Sequence, residues 1–167
     1  MFINLSNEHP MKNSKILLTI ALASVVSFTV SAHADKDDKS PEGQAAKYRH
    51  NSFNMIKHHF GPMGGMMKGK IDFNKDTFAK NADDLAALAV LSANGFNVKG
   101  TVKGSRAKKD IWENKEKFDM GLKMFAENTA ALATAAKTGD MAAIKPAFGK
   151  VADNCKQCHK TFRAKKK

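Results

Sequence analysis

Cysteine is almost missing from this sequence: Cys155 and Cys158 are the only two in 167 residues. Acidic side chains are scarce as well, 16 Asp and Glu against 28 Lys and Arg, for a formal charge of +12. Such a balance usually raises nucleic acid as a partner, yet the basic residues are spread over loops and tail without aromatic interleaving, which argues against it. Nothing in the chain alternates like a strand, so a β-rich fold is excluded in favour of helices. Long apolar runs are lacking too. The uncharged stretch Ile16 to Val30 is 15 residues, short of the roughly 20 that a membrane span requires.

That stretch follows Lys12 and Lys15 and precedes Ala32-His33-Ala34, the layout of a Sec-type secretory signal with small residues at its cleavage site. Cleavage after Ala34 is expected, with an uncleaved anchor as the alternative, and it directs the product to the periplasm. Residues Met1 to Pro10 fit neither a signal nor a domain, which makes Met11 a candidate start. The division is therefore a leader over 1–34 and one domain over 35–167, since the remaining 133 residues suffice for one core and not for two. With Glu8, Lys12 and Lys15 removed, the product keeps 26 basic and 15 acidic residues. This charge serves solubility and weak steering toward acidic partners.

The two cysteines sit in Cys155-Lys156-Gln157-Cys158-His159, the pattern that attaches haem covalently. Positions i, i+3 and i+4 share one helix face, so Cys155 and Cys158 can anchor one porphyrin while His159 ligates its iron. A structural disulfide is conceivable, a thioredoxin-type pair needs a βαβ context absent here, and zinc wants a fourth ligand beside these three. The motif therefore points to a single haem c.

Four apolar stripes at helical period predict an all-α chain, an antiparallel four-helix bundle with the haem near its C-terminal end. Ser40 before Pro41 caps a first helix marked by Tyr48, Phe53, Ile56 and Phe60, which should stop at the breakers Gly61, Pro62, Gly64 and Gly65. Asp72 or Asn74 caps a second, marked by Phe78, Ala82, Leu85, Leu88, Ala89 and Ser92, with Gly95 as its stop. The third runs through Ile111, Phe118, Leu122, Phe125, Thr129, Leu132 and Ala136 to Gly139. Asp140 caps a fourth through Ile144, Phe148, Val151, Cys155, Cys158 and Phe162, where Pro146 implies either a kink or a start near Lys145. The long connection from Gly95 to Asp110 reads as a crossover or mobile loop.

Cys-Lys-Gln-Cys-His-Lys-Thr-Phe-Arg at the C-terminal end, Lys47-Tyr48-Arg49 in helix one and Asp110-Ile111-Trp112 opening helix three resemble cytochrome c′, the class II c-type cytochromes, across residues 40 to 164. The resemblance implies that Arg49 contacts a haem propionate, that Arg163 flanks the proximal side, and that Phe53 occupies the distal position where low-spin members carry a methionine. Solvated charge is the plainer account of either arginine. Ile56, Phe96 and Phe125 are further candidates to line the haem, with core packing an equal explanation.

Phenylalanine has no lone pair for iron. Met55 lies about 200° round the helix from Phe53, and the offsets of His50 and His58 turn them away as well. The expectation is a five-coordinate haem protein that binds uncharged diatomic gases, nitric oxide chiefly and carbon monoxide, in a scavenging or protective role. An electron carrier with a redox partner protein is the alternative. No enzymatic activity is expected, because a peroxidase-like reaction would want an acid-base group where Phe53 stands. The resemblance further implies a homodimer packed through helix one, with Phe60 and Met55 as candidate contacts.

Overall fold

The computed structural model describes residues 38–165 of the chain. The leader, its cleavage site and Met11 lie outside the described residues. Ser40 caps α1 (Pro41–Met67), its hydroxyl accepting the Gly43 amide at 3.0 Å, with Pro41 at the first helical position. Asn74 caps α2 (Lys75–Ser92) through the Thr77 amide at 2.9 Å. A single turn, α3 (Asp110–Glu113), precedes α4 (Lys115–Thr138). Gly139 ends α4 at φ +75°, a conformation glycine adopts without steric cost, and Asp140 then caps α5 (Met141–Phe162).

The long helices form the expected bundle: α2 packs on α1 and α4, and α4 on α5. Phe78, Ala82, Leu85, Leu132, Ala136, Ile144 and Val151 are essentially sealed from solvent at its centre. No helix among the described residues is long and apolar enough to cross a membrane.

Several boundaries depart from the sequence reading. α1 does not stop at Gly61 and Pro62 but continues to Met67, about two turns further. Proline there deletes one backbone bond, and burial outweighs the loss: Met63 is fully buried, Met66 nearly so, and Phe60 stacks on Phe148 of α5 with ring centroids 4.6 Å apart. Phe60, expected to be exposed, is therefore half-buried in the bundle, whereas Met55 is 51% exposed. The stop comes at Gly69, φ +67°. α2 ends at Ser92, not Gly95, and passes into a 3-10 turn over Ala93–Phe96.

Helix three is divided at Asn114, whose φ of −123° and ψ of 48° break the helical path between α3 and α4. α5 begins at Met141 rather than near Lys145, with Pro146 inside it. The connection over residues 97–109 is no free loop at its far end. Ala107 and Arg163 form an antiparallel bridge, supported by Lys108 N–H to Phe162 O at 3.1 Å and Ala164 N–H to Arg106 O at 2.8 Å.

Candidate functional site

The C-terminal end of α5 lies where two apolar clusters meet. The larger holds Ile56 and Phe125, with Cys155 packed against it; the smaller holds Phe96, Ile111, Phe118 and Phe162, with Cys158 packed against it. Phe53, half-buried, touches both clusters and meets Phe96 edge-on at 6.2 Å. The structure thus gathers Cys155, Cys158, Phe53, Ile56, Phe96 and Phe125 along one seam.

Burial, and for Cys155 the neighbouring Cys158, raises both thiol pKa values, so the pair is protonated near neutral pH. His159 is the most exposed of the three motif residues. The burial it does have, then the charges of Arg163 and Arg106, lower its pKa and keep the ring neutral, which leaves a nitrogen lone pair available.

Arg49 projects from α1 into the smaller cluster and is 5% exposed. One guanidinium nitrogen donates to Gly95 O at 2.8 Å and the other to Gly100 O at 3.3 Å, while the group lies 5.5 Å from the ring centres of both Phe96 and Trp112. Burial without a carboxylate pushes its pKa down. Its Nε–H is buried and unbonded, and so is the indole Nε1–H of Trp112. Two orphaned donors beside a buried cation are costly unless an anion meets them.

Gly95 is needed here for close approach. A Cβ on it would sit 2.6 Å from Arg49 Cγ and 3.1 Å from the Tyr48 ring. We expect Gly95→Ala to cost about 1–3 kcal/mol in urea unfolding, the usual range for overpacking a well-packed site; an unchanged midpoint would show that Arg49 can move freely.

Arg163 is exposed and, with φ −117° and ψ 126°, lies beyond the helix as its C-cap, off the helical face that carries His159. It stands close enough to His159 and Arg106 for their charges to interact. His50 bonds Asn54, while His59 reaches across to Asn81 and Asp84 of α2, so both are occupied away from the seam. Trp112 and Arg106 were missed as site residues. Trp112 was legible only as part of a motif, and Arg106 meets Ala164 across 58 positions, beyond the reach of any local pattern.

The residues fit a haem, whose vinyl groups two adjacent thiols would take, and whose propionates would satisfy the two orphaned donors. Residues 44–163 match the family model described as Cytochrome C'. The chain belongs to the cytochrome c′ family. It is 36% identical over 125 residues to cytochrome c′ of Rubrivivax gelatinosus, covering 74% of this chain and 96% of that protein. Cytochrome c prime from Shewanella frigidimarina superposes with a TM-score of 0.73 at 36% identity, covering 75% and 98% of the two chains. A nitric oxide complex of a mutant cytochrome c prime from Alcaligenes xylosoxidans gives 0.69 at 31%, covering 76% and 98%. Members of the cytochrome c′ family hold haem c covalently, here through Cys155 and Cys158, and serve as haem carriers rather than conventional enzymes.

Proposed function

We propose that this chain is a periplasmic haem protein whose iron keeps one coordination position free for an uncharged diatomic gas, nitric oxide above all and carbon monoxide as a second ligand. The observation that carries the reading is the position of Phe53 on the seam, together with the fate of every lone-pair donor that α1 could offer. Met63 and Met66 are buried in the main core, Met67 packs against it, Met55 and His58 are exposed to solvent, and His50 and His59 bond elsewhere.

When bound, the haem supplies the metal centre at which a gas coordinates. His159 would hold the iron through a nitrogen of its neutral ring. Phe53 would lie beside the haem as the family pattern implies, where it would exclude water and give no hydrogen bond to an anion. Arg49 and Trp112 would hold the propionates through their free N–H groups. Arg163 stays as a proximal neighbour of His159. The nitric oxide complexes of Alcaligenes proteins support the choice of ligand, and Lys12, Lys15 and the apolar run after them support export. Exposed Met55 supports pairing of two copies through α1.

The reading is tested by the optical spectrum of the oxidised holoprotein near neutral pH. A five-coordinate, largely high-spin ferric spectrum is expected. A six-coordinate low-spin spectrum with a methionine-to-iron band would favour the electron carrier instead, a role that the cationic surface around α5 also suits.

A further inference from the structure

Beyond the haem seam, α1 and α5 leave a groove of about 440 Å³ between them, within the range of small-molecule sites. It exists because these two helices do not close on each other: α1 packs chiefly on α2 and α5 on α4, while the stacked rings of Phe60 and Phe148 span the gap. Those rings make its apolar floor. Gly61, Gly64 and Gly65 share the α1 face above it, so bare helix backbone lies where side chains would otherwise stand. A Cβ on Gly61 would meet nothing within 4 Å.

The mouth carries charge of one sign. Lys68 and Lys70 line it, both exposed, and among the described residues neither forms an ion pair. Their backbone N–H groups donate to Gly65 O at 3.3 and 2.9 Å, which holds both residues at the mouth and leaves the ammonium groups for a ligand. Acids stand near in sequence, Asp72 and Asp76 after Lys70 and Asp153 beside Ala152, but none of them lines the groove or pairs with either lysine. Two full positive charges also exceed the partial negative charge of about half a unit at the C-terminus of α1.

We propose that this groove binds a free fatty acid, its acyl tail along the glycine face of α1 and its carboxylate between Lys68 and Lys70. An apolar trough with cations at one end selects an apolar body that carries a single anionic head. From Gly61 to Lys68 the helix rises about 10 Å, which gives an extended chain a track to follow. An anionic bilayer is the poorer fit. Beside these lysines the exposed apolar tips are Ile71 and Phe73, and Asp72 stands between them, a negative charge at the point of insertion. The site stands apart from the iron, so its failure would leave the gas reading untouched.

The test is calorimetric titration of the oxidised holoprotein with octanoate, decanoate and dodecanoate, each below its micelle concentration and at low salt. Binding should saturate at one acid per chain and tighten about tenfold for each two methylenes added. Gly61→Leu puts a side chain into the trough where the fold leaves space, and leucine favours the helix. It should weaken dodecanoate about tenfold or more while the thermal midpoint holds or rises. K68Q/K70Q should weaken dodecanoate about tenfold and leave neutral dodecanol within about twofold. No saturable uptake, full affinity in Gly61→Leu, or equal loss of acid and alcohol in K68Q/K70Q would sink the proposal. So would binding to phosphatidylglycerol vesicles that K68Q/K70Q abolishes while free dodecanoate is ignored, which would make the groove a membrane contact. A ligand-free dimer that Gly61→Leu converts to a monomer in sedimentation would overturn it too, by seating a second copy there.

Discussion

Replacing Phe53 by alanine is expected to speed carbon monoxide binding to the ferrous holoprotein about 10- to 100-fold. A tight apolar lid opposes an incoming ligand in the way an overfilled core opposes an added methylene, at about 1–3 kcal/mol, and each 1.4 kcal/mol is a factor of ten. The ring touches both apolar clusters, so its loss also leaves a void. Because Phe53 is only half-buried, about 2 kcal/mol of stability should go with it, below the roughly 3–5 kcal/mol lost when a core phenylalanine is truncated. Flash photolysis gives the rate and guanidinium unfolding gives the stability. If the rate is unchanged while the stability falls, Phe53 is a packing residue and the barrier to ligands lies elsewhere.

Arg49→Leu should lower the stability of the holoprotein by about 3–5 kcal/mol, the cost of removing one partner of a buried charged pair. The magnitude depends on what faces the guanidinium. Its bonds to Gly95 O and Gly100 O, 2.8 and 3.3 Å long, would be lost, but leucine would also relieve the burden of burying a cation. Those effects oppose each other, and without an anion nearby the net change should be under about 1 kcal/mol. With a propionate on the free Nε–H the larger loss applies, and the propionate is left stranded. Chemical unfolding of the holoprotein distinguishes these cases, and a small effect would remove Arg49 from the cofactor site.

What could be read from the sequence was whatever is local. The caps Ser40, Asn74 and Asp140 act within three residues, and the haem motif is five contiguous positions. What could not be read depends on distant partners. Gly61 and Pro62 look like a stop, yet burial of Met63 and Met66 carries α1 through them. Gly95 looked like a terminator, whereas its bare Cα makes room for Arg49. The same holds for Arg106, whose place near His159 is set by a bridge to the other end of the chain. A helix break at Asn114 carried no glycine or proline to announce it.

The two apolar clusters also give the bundle a direction. At one end, Phe78, Leu85, Leu132 and Ile144 interlock with nothing missing. At the other, Phe96, Phe118 and Phe162 form a small island joined to the rest largely through Phe53 and the cysteine pair. A tetrapyrrole held by those cysteines would act as mortar between the two masonries. Stripped of it, the molecule should fray from the α5 terminus inward, keeping its remote end closed like a zip whose lower teeth still hold.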